Sequence, residues 1–435
     1  MKYKEKEIKE GIKVHFIKND RFKTNLIAVF LSLPLERENV TKNALIPAIL
    51  RRGSKNMQTQ EDISKNLEEM YGAIFDCGVE KKGDNQILKF YLETVNDEFL
   101  PEHTESLLKE SIDKILEIIF NPYIEENSFK EEYINQEKAN LKQIIEGKSD
   151  NKARYALERC IEEMYKGENY GLYKYGYIED LEKITKENIY KYYQEMIQKC
   201  KIDIYVSGIT NEQILEYIEK NENIAKLDSR KSPIILNKID KKEEKKSPNT
   251  IFETSEVTQG KLIIGLDVLN KSEDEQYDVL LYNSILGGNA NSKLFQNVRE
   301  KASLAYTANS SYIKIKNTIY ISSGIEIENY QKALEIIEKQ IEEMKQGNFE
   351  KEDVENAKKG FISAINAIED EQDAEIIYYF GQEFNNIKLS IEDYKKRIEK
   401  ITKEDIVKIA NLISINTIYF LQDGSISRND TKINK

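Results

Sequence analysis

The sequence predicts an α+β protein of two similar domains, each an antiparallel sheet covered by helices. Two observations carry that prediction. A segment repeats: Ile184-Thr-Lys-Glu-Asn-Ile189 returns as Ile401-Thr-Lys-Glu-Asp-Ile406, and a β-type run follows each copy, at 202–206 and 417–421. Upstream of each copy the elements come in one order: strand pattern, helix, hairpin, amphipathic helix, two further helices. A chain of 435 residues also exceeds one ordinary core and suits two domains of roughly 200 residues. The expected domains are 1–227 and 250–435, joined by a charged linker at 228–249.

Each element has a local reason. Hairpins are expected where 73–80 pairs with 86–95 around Lys82-Gly-Asp-Asn85, and where 305–315 pairs with 318–325 around Lys316-Asn317. After each hairpin an apolar stripe recurs at helical spacing: Leu107, Leu108, Ile112, Ile115, Leu116 and Ile119, then Leu334, Ile337, Ile341 and Met344. Such stripes belong to a core. Thr185 and Thr402 stand where N-caps belong, with an amide or acid three positions on. The linker holds Pro233, Pro248 and the charge run Lys241-Lys-Glu-Glu-Lys-Lys246, which reads as a solvated connection.

Composition excludes several functions. Lys and Arg total 65 against 77 Asp and Glu, a net charge of −12 that would repel a polyphosphate, so no nucleic-acid partner is expected. No segment approaches the ~18 uninterrupted apolar residues of a membrane span, and the chain reads as soluble and cytoplasmic. Cys77, Cys160 and Cys200 are far apart, form no Cys-x-x-Cys, and read as buried free thiols. There is no phosphate-binding loop, and no Gly-x-Ser-x-Gly for an independent hydrolase.

The stretch Thr41-Lys-Asn-Ala-Leu-Ile-Pro-Ala-Ile-Leu-Arg-Arg-Gly-Ser54 precedes a helix and a hairpin. It resembles the segment in which insulinase/pitrilysin-type metallopeptidases, the inverzincins, carry His-x-x-Glu-His before a (Lys/Arg)-Gly-(Ser/Thr) turn. Aligned back from Gly53, the motif falls on Ala44, Leu45, Ile46, Pro47 and Ala48. In the family the two His hold zinc from one helical face and the Glu activates the metal-bound water. Ala offers no donor atom and Pro no carboxylate. His15 and His103, the only histidines, lie too far apart to restore that spacing. The family's third ligand, a Glu on a later helix, aligns near Gln143, and a neutral amide is a poor zinc ligand. The resemblance therefore implies the family's fold without its zinc, and no cofactor is expected. Arg51 and Arg52 read as solvated residues that complement the helix dipole.

Leu286-Gly-Gly-Asn-Ala-Asn-Ser-Lys-Leu-Phe-Gln-Asn-Val-Arg-Glu-Lys-Ala-Ser-Leu-Ala-Tyr306 resembles the family's Leu-Gly-Gly to Arg-x₆-Tyr segment. Family members use that Arg and Tyr to hold the substrate backbone and stabilise the oxyanion, which the resemblance maps to Arg299 and Tyr306. A guanidinium is a fork of donors for carbonyl oxygens, and a phenol donates toward developing charge. The bland alternative pairs Arg299 with a surface carboxylate and packs Tyr306 in a sheet. Gly287 and Gly288 are expected to end the preceding helix in a left-handed conformation, or to form the glycine-rich loop through which a non-catalytic processing-peptidase subunit passes substrate. The chain is similar to such half-size subunits along nearly its whole length. Its Lys-, Ile- and Asn-rich composition also resembles degenerate homologues in low-GC Gram-positive bacteria. The implied function is a catalytically inactive subunit of a heteromeric zinc peptidase, binding peptide in trans to a zinc-bearing half-size homologue. The alternative is a structural scaffold with no part in proteolysis.

Overall fold

The computed structural model describes residues 2–102, 105–209, 212–230, 242, 245, 247–269, 271–385 and 387–424. They fall into two compact units. The first comprises residues 1–147, 172–238 and 368–387. Its strands are Tyr3–Lys9 (β1), Ile12–Lys18 (β2), Thr24–Pro34 (β3), Ile74–Lys82 (β4), Asn85–Val95 (β5) and Lys201–Gly208 (β6). They form one sheet in the order β1-β2-β6-β3-β5-β4. Alternation sorts its two faces. Ile12, Val14 and Phe16 join Ile27, Val29 and Leu31 in the main core, while Lys13 and His15 point to the other side.

Helices Val40–Leu50 (α1), Gln60–Glu69 (α2), Leu107–Phe120 (α3) and Glu131–Glu146 (α4) pack in that main core, together with helix Lys186–Lys199. The stripe on α3 is buried as its spacing predicts, and Ser106 caps its first turn. The other face of the sheet receives helix Gln372–Phe384, from the far end of the chain. Its Phe380 stacks on Phe30 with ring centroids 4.3 Å apart. Glu383 accepts hydrogen bonds from Lys13 at 2.7 Å and Lys201 at 2.9 Å. Beneath this helix His15 is fully buried, 2.8 Å from the Tyr3 hydroxyl and 3.0 Å from Asp203.

The second unit comprises residues 148–171, 239–367 and 388–435. Its strands are Asn249–Thr254 (β7), Gly260–Val268 (β8), Ala305–Ile313 (β9), Thr318–Ile325 (β10) and Ile413–Gln422 (β11), ordered β7-β11-β8-β10-β9. Helix Lys152–Met164 (α5), from the first half of the chain, sets Ala156, Cys160 and Met164 against Ile263, Tyr320, Tyr419 and Leu421. Burial pushes the Cys160 thiol up to about 12.

The order β7-β11-β8-β10-β9 repeats β2-β6-β3-β5-β4 strand for strand, so the internal repeat reflects a duplicated topology. Both Thr-capped helices close reciprocal capping boxes, Thr185 with Asn188 and Thr402 with Asp405. The structure differs from the sequence expectation in four respects. Neither sheet is wholly antiparallel: β6 enters beside β2 in parallel, and β11 beside β7. In each half the last strand inserts between two earlier ones, β6 between β2 and β3 and β11 between β7 and β8, antiparallel to the second and parallel to the first. The units also cut across the expected boundaries, because residues 148–171 and 368–387 each supply a helix to the other half's sheet. Linker residues 231–241, 243, 244 and 246 lie outside the described residues, as does His103. At the linker's start, Arg230 is 2% exposed and donates to the carbonyls of Cys200, Ile197 and Asp228. Lys242 of the charge run is not solvated either: it meets Asp267 at 3.1 Å and the Tyr165 hydroxyl at 2.8 Å. No described helix is long and apolar enough to cross a membrane.

Candidate functional site

Helix α1 carries the degenerate motif, and eight of its eleven residues are buried. Asn43 anchors it, donating to Gln86 at 3.0 Å and accepting from the Tyr192 hydroxyl at 2.7 Å. Pro47 sits inside the helix, where it has no N–H to give the Asn43 carbonyl. Just beyond, Gly53 permits the turn: a Cβ there would lie 2.4 Å from the Gln58 carbonyl oxygen.

Ala44, Pro47 and Ala48 line a pocket of about 410 Å³, closed on one side by α4 and on another by β4. From α4 come Glu137, Asn140, Leu141 and Ile144, spaced as one helical face. From β4 come Cys77, Gly78 and Val79. Gln143 is not among the lining residues. It lies exposed on another side of α4, and the neighbouring Ile144, itself half-exposed, borders the pocket instead.

Arg52 corrects another expectation. Its side chain is only 22% exposed, and its guanidinium pairs with Glu137, itself 9% exposed. A further N–H of Arg52 reaches Gln60 at 3.0 Å, and Asn140 donates to Glu137 at 3.1 Å. A buried charge needs a partner, and here a guanidinium supplies it. Arg51, the C-cap of α1, remains exposed, and its side chain has no hydrogen bond or ion pair among the described residues.

Zinc does not fit this pocket. The positions that face it from α1 are Ala and Pro, its only carboxylate is held by Arg52, and its one thiol donates to the Pro47 carbonyl at 3.3 Å. Burial pushes the Cys77 thiol up to about 12, which disfavours the thiolate a metal requires. No group of three or more His, Cys, Asp or Glu placed to hold a metal occurs among the described residues. His15 is committed to Tyr3 and Asp203.

The second unit places the other candidates on one loop and strand. Phe295–Lys301 winds as a π-helix, a form that recurs at functional sites, whereas Ser284–Gly288 is broken by a kink at Gly287, whose backbone is not helical. Gly287 has φ −155° and Gly288 is not among the positive-φ glycines, so neither is the left-handed cap expected. Close approach explains Gly287 instead: a Cβ there would lie 2.5 Å from Ser310 Oγ and 2.6 Å from its backbone nitrogen. Gly287 is buried and only Gly288 reaches the surface. Arg299 lies 4.5 Å over the Phe295 ring and 3.7 Å from Glu300, a contact between half-exposed side chains and hence a weak one. Ser303 then adopts φ 54° and turns the chain into edge strand β9. Tyr306 follows, 69% exposed rather than packed in the sheet. No hydrogen bond joins Arg299 to Tyr306.

Around the pocket in the first unit, the sequence analysis singled out Ala44, Pro47 and Ala48 but not Glu137, Asn140 or the β4 edge. The spacing of 137, 140, 141 and 144 was the available signal, since it places four residues on the α4 face opposite Ala44 and Ala48.

Comparison with known proteins agrees with this picture. A family model described as the peptidase M16 inactive domain matches residues 183–361. A probable inactive metalloprotease of Bacillus subtilis, YmfF, is 35% identical over 414 residues, covering 95% of this chain and 96% of the relative. The crystal structure of a conserved protein from Enterococcus faecalis superposes with a TM-score of 0.88 at 26% identity, over 98% of this chain and 99% of that one. A peptidase M16 inactive domain from Pseudomonas fluorescens shares the fold, with a TM-score of 0.78 at 18% identity over 97% and 98% of the two chains. The chain belongs to the M16 family, the insulinase/pitrilysin-type peptidases, as a catalytically inactive homologue.

Proposed function

We propose that this chain is the non-catalytic, peptide-binding subunit of a cytoplasmic heterodimeric zinc peptidase, paired with a half-size homologue that keeps His-x-x-Glu-His. The observation that carries this reading is Tyr306. A large aromatic side chain 69% exposed on an edge strand, with its hydroxyl unclaimed by any described residue, has little to do in a scaffold. Arg299, held only weakly by Glu300, leaves most of its donor fork free for a peptide backbone. The adjoining loop supports the same reading, with a kink at Gly287, a π-helical segment at Phe295–Lys301 and Ser303 in a conformation that costs non-glycine residues energy. Tyr306 would donate to the oxyanion formed at the partner's zinc, Arg299 would grip the substrate backbone, and the Gly287–Gly288 loop would border its path.

Tagged chain recovered under native conditions should bring down one similar-length protein bearing His-x-x-Glu-His in equal amount, and the pair should hold about one zinc. Recovery of this chain alone, at expression levels where such a homologue is present, would remove the heteromer and leave the scaffold alternative.

A further inference from the structure

A second recess in the first unit, of about 690 Å³, shares no lining residue with the pocket beside the emptied motif. Helix Lys186–Lys199 supplies Tyr190, Tyr193, Gln194, Ile197 and Gln198, whose spacing places them on one helical face. The turn after α1 is tied to the chain beyond α3. Ser54 bridges Pro122, the Lys55 N–H donates to the Asn121 carbonyl at 2.8 Å, and the Tyr123 N–H donates to the Gly53 carbonyl at 3.0 Å. This short ribbon brings Lys55 and Tyr123 to the recess. Lys226 completes it, its amine donating to Asn121 Oδ1 at 2.8 Å, Asn223 Oδ1 at 3.1 Å and the Phe120 carbonyl at 3.4 Å.

The charge here has one sign. Lys55 and Lys226 line the recess, and no Asp or Glu does. Lys226 directs its donors to neutral oxygens, so its charge is not cancelled by them. The Lys55 amine has no hydrogen bond or ion pair among the described residues. Burial lowers the Lys226 amine most; Glu222, outside the lining, raises it, and the Lys55 charge lowers it again, which places the two lysines within electrostatic reach of each other. The surface around them is apolar and aromatic: Phe120, Ile197 and Leu227 are buried, and Tyr123 and Tyr190 are half-buried. Two like charges beside such a surface favour a ligand that brings negative charge and an apolar body together.

We propose that this recess binds a small aromatic phosphate monoester of the nucleoside monophosphate class, with the phosphate at Lys55 and Lys226, the planar ring system against Tyr123 and Tyr190, and the glutamine amides at its edge. The volume lies within the ~300–1,000 Å³ range of ligand pockets. A phosphate monoester carries about −1.5 to −2 charge at neutral pH, which two ammoniums match. Ammoniums act on a phosphate as point charges, whereas a planar carboxylate is better served by a guanidinium fork. Tyrosine rings accept the face of any base, and an amide presents donor and acceptor together to a base edge. The net charge of −12 opposes a long polyphosphate, but a single phosphate in the recess meets chiefly the local charge, since distant charges are screened by salt.

Calorimetric titration of the full chain with adenosine, guanosine, cytidine and uridine monophosphates tests the assignment, with the parent nucleosides and inorganic phosphate as comparisons. At least one monophosphate should bind with a Kd below about 1 mM, and its nucleoside and inorganic phosphate should each bind about tenfold or more weakly. Lys55→Gln should weaken the monophosphate about tenfold and Lys55→Arg should keep most of the affinity. Both variants should keep the natural circular dichroism spectrum and urea midpoint, because the Lys55 side chain is exposed and holds no partner. Absence of binding by all four monophosphates overturns the proposal, as does binding that Lys55→Gln leaves unchanged. Inorganic phosphate binding as tightly as the monophosphates would reduce the recess to a simple anion site and overturn the aromatic assignment.

Discussion

Arg52 and Glu137 show how the pocket beside the emptied motif balances a partly buried carboxylate without a metal. Ala44 and Ala48 remove the donors, and a guanidinium one turn beyond Ala48 then provides the positive charge that the Glu137 carboxylate needs. Neither residue can be replaced singly without exposing the other as an uncompensated charge. At the same scale, Gly287 and Gly288 look equivalent in sequence and are not. Gly287→Ala must force β9 aside at Ser310 and should cost about 1–3 kcal/mol. Gly288→Ala meets nothing closer than 3.5 Å and should stay within about 0.5 kcal/mol. Urea denaturation of the two variants checks this, and equal midpoints would mean that Gly287 is not confined as described. The neighbouring Arg-x₆-Tyr spacing was legible because it is local. The Arg52–Glu137 pair was not, because its partners stand 85 residues apart and nothing in the chain states which carboxylate α1 will meet.

Among the elements, helix Gln372–Phe384 departs most from expectation. The sequence marked it only as one of two further helices and could not say which sheet it would meet, and the helix covers the sheet of the other half. Its docking is partly ionic. Burial works to raise the Glu383 carboxyl, but hydrogen bonds and charges from Lys13 and Lys201 outweigh it and hold the group at about 2. A carboxyl lowered on folding adds stability that is fully present above its ordinary value of 4.5 and is lost as pH falls through about 2. Denaturant midpoints of the natural chain should therefore fall between pH 4.5 and 2, and those of Glu383→Gln should be lower at pH 6 and decline less steeply. Parallel pH profiles would show that this carboxylate does not anchor the helix. The capping boxes, hairpins and amphipathic stripes were readable in advance because each is set by residues within a few positions of one another.

For the whole molecule, the duplication was legible from one six-residue repeat, and the matched strand orders bear it out. The parallel pairs β2/β6 and β7/β11 were not, since strand neighbours depend on where the last strand inserts. Family membership and the loss of catalysis rest on the fold, the emptied motif and the relatives. Action in trans is the central claim, and kinetics of the reconstituted heterodimer test it most directly. With the zinc-bearing partner present, Tyr306→Phe should lower turnover by on the order of 10²–10³ with little change in the Michaelis constant, because the hydroxyl acts only on the forming oxyanion. Arg299→Ala should raise the Michaelis constant as well. Unaltered kinetics from a fully assembled Tyr306→Phe, Arg299→Ala double variant would contradict the account.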